Sequence, residues 1–325
     1  MKILITGASG FIGTNLISFL IKENIEVVNL DVNKPNVASH NRYWKQCDIL
    51  NSTLLKEEFI NFAPTHVIHL AARTDTLSND INDYKSNTDG TFNVVEAIKS
   101  AATVERVIII STQFVNQYHG IPKHDEDYAP HTVYGESKVI TEQLTRKANL
   151  NCTWTIVRPT NIWGPWHPRY AKEFWLVLKK GRYIHPVSKK QVIRSYGYVG
   201  NVVHQIIQIL KSKKETVDKQ VFYLGDFPVD IYLWANGFSL ALTGKNVKKV
   251  PGNFVRMIAY CGDIFKFFGF SFPITSSRYK SMTTSNDAPM EKTFTQFDKP
   301  LYSLQEGIDE TVKWLVSQDK DFWSA

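Results

Sequence analysis

The segment "KILITGASGFIGTNLISFLIKENIEVVNLD" (residues 2–31) constrains this chain most. A short β-branched run leads into three glycines at a fixed spacing, Gly7, Gly10 and Gly13. Apolar residues at helical spacing follow, and a second β-branched run ends on an acid, Asp31. Two such runs joined by a helix form parallel neighbours, because an antiparallel pair needs only a short turn. The glycines then have separate tasks. Gly7 permits a tight turn, Gly10 lets main chain approach a ligand, and Gly13 lets the helix pack closely on the sheet. The helix N-terminus offers N–H groups and the positive end of a dipole. Strand, glycine turn, helix, strand and acid in this order predict a dinucleotide-binding unit. The spacing is Gly-x-x-Gly-x-x-Gly rather than Gly-x-Gly-x-x-Gly. Asp31 suits the two ribose hydroxyls of NAD and repels the 2′-phosphate of NADP. Its competing reading is a turn residue at a strand end.

The alternation continues. Strands are expected in "RYWKQCDI", "HVIHLAA", "ERVIIIS" and "TWTIVRP". Helices are expected in "STLLKEEFINFA", in a long stretch over 82–102, and in "HTVYGESKVITEQLTRKAN". Repeated βα units of this length predict an α/β chain: a Rossmann-type, doubly wound parallel sheet. The expected division is a cofactor domain over 1–161 to which 198–225 returns. A smaller, discontinuous C-terminal substrate lobe takes 162–197 and 226–325. In such sheets ligands lie beyond the carboxyl ends of the strands.

The chain has 325 residues, 43% of them hydrophobic, enough for a large core. Its formal charge of +7 comes from scattered short lysine groups without an aromatic-interleaved basic strip, so no nucleic-acid partner is expected. A positive field also suits small anionic ligands. The three cysteines, Cys47, Cys152 and Cys261, have neither disulfide nor metal spacing and read as reduced thiols of a cytoplasmic protein. His119, His124 and His131 lack metal spacing too, and no metal site is expected. His69, inside an apolar strand, reads as a core histidine. "DED" at 125–127 reads as a solvated turn. "FVRMIAYCGDIFKFFGFSFPI" (254–274) carries Arg256, Asp263 and Lys266 and ends at a proline, which suits a packed helix better than an integral membrane segment. Attachment to a membrane surface is the alternative for it.

Candidate chemistry lies at the end of the fifth strand and on the helix after it. "VYGESK" sets Tyr134 and Lys138 four residues apart, on one helical face. A phenol with a pKa near 10 is a poor base at neutral pH, and a neighbouring ammonium favours its phenolate. "IIISTQFV" puts Ser111 and Thr112 at a strand's carboxyl end. Such a hydroxyl can share a proton or bind the reacting oxygen while hydride moves to or from NAD. Tyr-x-x-x-Lys also arises on helices by chance. Its position after a cofactor loop and a strand-end threonine gives it meaning here.

With these motifs in place the chain resembles the extended short-chain dehydrogenases/reductases, within the NAD-dependent epimerase/dehydratase group. The resemblance runs through "TGASGFIG", "CDI", "HLAA", "NTDGTFNVVEA", "STQFV", "YGESK", "RPTNIWGP", "IRSYGYVGNVV" and "LYSLQEGIDETVKWL". It implies catalytic roles for Thr112, Tyr134 and Lys138. It implies cofactor contacts from Gly7, Gly10, Phe11, Ile12, Gly13 and Asp31, from Asp48 and Ile49, and from Leu70, Ala71 and Ala72. Asn87, Tyr134, Lys138 and Pro159 complete that set. On the substrate side it implies Thr112 and Asn161, with Arg194 on a diphosphate; Arg73, just past a strand end, reads as a further substrate residue or a surface loop. Homodimers through the helices near 80–100 and 131–149 are implied as well. Departures are Trp163 for a usual tyrosine, and Ser195 and Gly200 for two acids around Arg194. The stretch 250–285 is also similar to the hydroxysteroid-dehydrogenase branch.

The implied reaction is epimerisation at sugar C4 of a nucleotide-diphosphate sugar through a 4-keto intermediate, for which polysaccharide biosynthesis is the expected setting. A 4,6-dehydratase of the family carries an acid pair after the threonine, where this chain has Gln113 and Phe114. Alternatives are a reductase of a 4-keto nucleotide sugar using NAD(P)H, and a hydroxysteroid-type alcohol dehydrogenase. A non-enzymatic NAD-binding regulator is disfavoured by the presence of both Tyr134 and Lys138.

Overall fold

The computed structural model describes residues 1–116, 121–168, 170, 174–188, 190–270, 272 and 274–318. The chain forms two compact units, the first comprising Met1–Ile162, Gly197–Gly225 and Ala288–Leu301.

The first unit is built on a seven-stranded parallel sheet. Its strands are β1 (Lys2–Thr6), β2 (Glu26–Asp31), β3 (Trp44–Gln46), β4 (His66–His69), β5 (Arg106–Ile110), β6 (Thr153–Pro159) and the closing strand Gln220–Leu224. Their order is Gln220–Leu224, β6, β5, β4, β1, β2, β3. Every neighbouring pair is parallel. Strands covered on both faces read as continuous apolar runs, and Ile3–Ile5 and Val107–Ile109 are fully buried. Helices α1 (Phe11–Lys22), α2 (Ser52–Phe62), α3 (Asp89–Ser100) and α4 (Val133–Lys147) cross between strands. Leu55 and Phe59 of α2, with Val94 and Ile98 of α3, share one buried cluster with Leu4, Val67 and Val107 of the sheet. The order reverses between β1 and β4, and a doubly wound sheet opens its ligand crevice at that point.

Two expectations change. The stretch 82–102 is not one helix: a short turn at Ile81–Tyr84 precedes α3, which begins only at Asp89. Asn87 explains the break. Its carboxamide accepts from Arg73 N (2.8 Å) and donates to Arg73 O (2.9 Å) and Ser137 Oγ (2.8 Å), drawing the main chain to the end of β4. Residues 288–301, expected in the substrate lobe, belong to the sheet unit. Thr293 donates to Tyr223 O at 2.6 Å, and Phe297 packs on Phe222 with ring centroids 4.9 Å apart. The segment packs on the edge strand Gln220–Leu224 rather than on its neighbours in the chain.

The second unit comprises Trp163–Tyr196, Asp226–Asp287 and the chain from Tyr302. Its core is aromatic: Trp234 lies between Phe174 and Tyr196, stacked on them at centroid distances of 4.6 and 4.4 Å, with Trp163 and Phe238 edge-on. Strands Ile184–Val187 and Lys248–Pro251 pair in parallel. Its longer helices are Ile231–Thr243, Gly252–Phe267 and Leu304–Ser317, the last started by a Ser303–Glu306 capping box. Among the described residues no helix is long and apolar enough to cross a membrane.

Candidate active site

The cofactor loop has the geometry its glycines suggest. Gly7 has φ +77°, and a Cβ there would lie 2.5 Å from Ala71 Cα, so main chain from the ends of β1 and β4 nearly touches. A Cβ on Gly13 would lie 2.3 Å from Ala8 Cα, which fixes how closely α1 sits on the loop. Gly10 is the N-cap of α1 and offers no side-chain cap of its own. The Asp31 carboxylate is buried and accepts from Ser9 N (3.0 Å) and Asn33 N (2.9 Å). Those bonds aim it while leaving oxygen lone pairs for further donors. Phe11 and Ile12 open α1, and Leu70, Ala71 and Ala72 extend β4; all five are partly buried. Asp48 is exposed just beyond β3, with Ile49 buried beside it, and Pro159 ends β6. These residues sit at the carboxyl ends of their strands or on the first helix, as a dinucleotide site in such a sheet requires.

The residues expected to be reactive lie on the turn after β5 and on the first turns of α4. Thr112 follows β5, is buried, and its Oγ1 accepts from Phe114 N at 3.3 Å. Thr132 caps α4 through Gly135 N at 3.0 Å. A Cβ on Gly135 would lie 2.4 Å from Phe114 O, so only glycine lets α4 approach the turn after Thr112 this closely. Tyr134 thereby packs against Phe114 (centroids 6.1 Å apart) and Tyr84 (6.3 Å). Lys138, one turn on, is buried, and burial pulls its ammonium down to about 8 against an opposing effect of Glu142.

Below this lies a buried polar cluster that the sequence did not announce. Glu142 receives a fork from Arg158, Nε at 2.9 Å and Nη2 at 2.8 Å. Tyr128 donates to it at 2.9 Å and Ser111 Oγ at 2.5 Å. Burial alone would lower the Arg158 guanidinium, but the Glu142 bonds and charge outweigh it and hold it above its ordinary value. Ser111 is therefore engaged with a structural carboxylate. Glu142 one turn beyond Lys138, and an arginine inside an apolar strand, were the available signals.

The remaining expected residues are placed as follows. His69 lies between Thr6 Oγ1 (2.7 Å) and Thr91 Oγ1 (3.1 Å); burial, and then the Lys138 charge, push it down to about 3, so it is a neutral core histidine. Asn87 joins the end of β4 to α4. The Arg73 guanidinium pairs with Asp75 at 2.7 Å and lies over the Tyr84 ring. Gln113 is buried, and its Nε2 has no hydrogen-bond partner among the described residues. Asn161 opens the short strand Asn161–Trp163, separated from the end of β6 by one residue. Arg194, in the second unit, is buried and donates to Ser281 O. His131 packs on Phe114, and His119 lies outside the described residues. Among the described residues no group of three His, Cys, Asp or Glu is arranged to hold a metal.

The family model described as "NAD dependent epimerase/dehydratase family" matches residues 3–225. The chain belongs to the NAD-dependent epimerase/dehydratase family. One family relative is an N-acetyl-alpha-D-glucosaminyl-diphospho-ditrans,octacis-undecaprenol 4-epimerase of Escherichia coli O157:H7, 27% identical over 98% of this chain and 97% of its own. A UDP-glucose 4-epimerase of Vibrio cholerae is 30% identical over 69% of this chain and 70% of its own. Among solved folds, a UDP-glucuronic acid 4-epimerase of Bacillus cereus, in complex with UDP-glucuronic acid and NAD, superposes with a TM-score of 0.72. It is 22% identical and covers 97% of this chain and 99% of its own. NAD is accordingly the cofactor of this family enzyme, and the glycine cradle with its aimed Asp31 fits it.

Proposed function

We propose that this chain is a 4-epimerase of a sugar carried on a diphosphate. The observation that carries the reading is the seating of α4, with Tyr134 and buried Lys138 on it, against the Phe114 turn that follows Thr112, together with Gln113 and Phe114 in place of an acid pair. Tyr134, as phenolate, takes the proton of the sugar C4 hydroxyl, and Thr112 hydrogen-bonds the same oxygen. Lys138 holds the phenolate by its charge. Bound NAD supplies the hydride acceptor, and later the donor, so no cofactor is consumed. The ketone formed at C4 turns its other face before hydride returns, and Tyr134 gives the proton back. Gln113 can donate a hydrogen bond but cannot transfer a proton, which disfavours elimination of water. Arg194 and Asn161 are the proposed contacts to the diphosphate and the sugar, with Arg73 at the rim. The relatives that act on UDP-glucose and on a diphospho-undecaprenol sugar support a diphosphate-borne sugar. The setting we propose is polysaccharide biosynthesis in the cytoplasm, by a homodimer joined through α3 and α4.

Purified protein with UDP-hexoses, UDP-N-acetylhexosamines and their diphosphate-lipid counterparts, followed by NMR without added reductant, tests this. The expected result is equilibration of the C4 epimers. Consumption of a 4-keto sugar nucleotide that requires NADH, with no epimer formed, would replace the reading by a reductase.

A further inference from the structure

Helix Gly252–Phe267 has two apolar faces, and the fold uses one. Val255, Ala259 and Gly262 are buried, and a Cβ on Gly262 would run into Ile274 O at 2.0 Å. The opposite face shows Phe254, Met257, Tyr260 and Ile264, three or four residues apart and each at least half exposed. Phe267, Phe268 and Phe270 continue it at 86%, 68% and 65% exposure. A row of bulky apolar side chains this long is far from the scattered leucines of an ordinary surface.

Its charge is equally uneven. Residues 244–281 hold seven Lys and Arg against the single acid Asp263, so this stretch carries nearly all of the chain's formal +7. Asp263 is itself occupied as the acceptor for Ser276 N at 3.1 Å. Lys248 and Lys249, both exposed, lie on the strand that runs directly into the helix. A cavity of about 260 Å³ opens beside them, with Lys179, Lys180, Lys245 and Lys248 in its wall.

We propose that this face docks on an anionic lipid bilayer, with the aromatic row in the headgroup–acyl boundary and the lysines on lipid phosphates. An apolar face flanked by cations is what an interfacial helix presents, and each nearby cation adds to its hold on anionic lipid. Charge selects this occupant over a second copy of the chain. A self-complementary interface would set two surplus-positive patches against each other, whereas a bilayer supplies the opposite sign. The Escherichia coli relative, whose named substrate is a diphospho-undecaprenol sugar, aligns over 98% of this chain. The docking gives the proposed epimerase, on whose reading this purpose alone rests, access to a sugar diphosphate that is anchored in lipid.

The test is flotation of the full chain with two kinds of vesicle, phosphatidylcholine alone and phosphatidylcholine mixed equally with phosphatidylglycerol. Wild type should float with the mixed vesicles only, and high salt should release it. Ile264→Asp with Phe268→Asp, and separately Lys248→Glu with Lys249→Glu, should each lower the floated fraction at least about tenfold. Both double variants should keep the wild-type melting temperature and NAD binding. Failure of wild type to float, or floating that the variants do not change, would overturn docking. So would a doubled mass in light scattering that Ile264→Asp with Phe268→Asp abolishes, since the face would then join two copies. Flotation needs no turnover, so a protein that floats but shows no epimerase activity would lose the proposed reaction and keep the docking surface.

Discussion

Ser111 and Thr112 are adjacent hydroxyls at one strand end, and the structure separates them. Ser111 points to Glu142, while Thr112 stays at the turn and accepts from Phe114 N. Tyr134 and Lys138 lie one turn apart on α4, a spacing that the sequence alone decides. The depth of Lys138 was not legible there, because burial depends on how α4 seats on the sheet. That depth has a consequence for pH. The ammonium is present below about 8 and is lost as pH rises through it, so support for the phenolate is lost on the alkaline side. kcat should therefore fall above pH 8, and Lys138→Arg, whose charge persists, should move that limb upward while lowering the plateau. A kcat–pH profile unchanged by Lys138→Arg would contradict the assignment. Tyr134→Phe should reduce kcat by roughly 10²–10⁴-fold with NAD binding retained, measured by turnover and by cofactor fluorescence.

At the scale of elements, the strands were read well. "TWTIVRP" is β6 to the residue, its β-branched Thr153, Thr155, Ile156 and Val157 and aromatic Trp154 marking a strand. The helix expected over 82–102 failed because Asn87 is used for tertiary bonds, which periodicity does not register. Helix α4 carries two demands on packing that its pattern also hides. Gly135 keeps its N-terminus against Phe114 O, so Gly135→Ala should cost about 1–3 kcal/mol and lower kcat further than that loss of stability explains. Circular dichroism melts beside kcat would separate the two effects. Glu142 anchors the other end of the same face. Glu142→Gln leaves a buried guanidinium without its counter-charge and should destabilise by about 3–5 kcal/mol, while adding Arg158→Met should recover part of that loss. Denaturant titration of the two single variants and the double gives the coupling directly.

Over the whole molecule, the chain forms a sheet unit and a smaller discontinuous unit, with 288–301 in the first. That segment returns to cover Phe222 and Tyr223, a pairing between parts of the chain far apart in sequence. Assembly belongs to this scale too. The outer face of α3 carries Asp89, Phe92 and Lys99, all exposed, with Phe92 at 51% and Lys99 held to Glu96 at 2.9 Å. A phenyl ring ringed by charges of both signs suits an isologous contact, because a two-fold axis can bring an acid on one copy to a lysine on the other. Light scattering at micromolar concentration should give twice the 37.2 kDa chain mass, and Phe92→Glu should return the monomer mass without loss of NAD binding. A monomeric wild type would reject the α3–α4 dimer, and a dimer indifferent to Phe92→Glu would move the interface elsewhere on the surface.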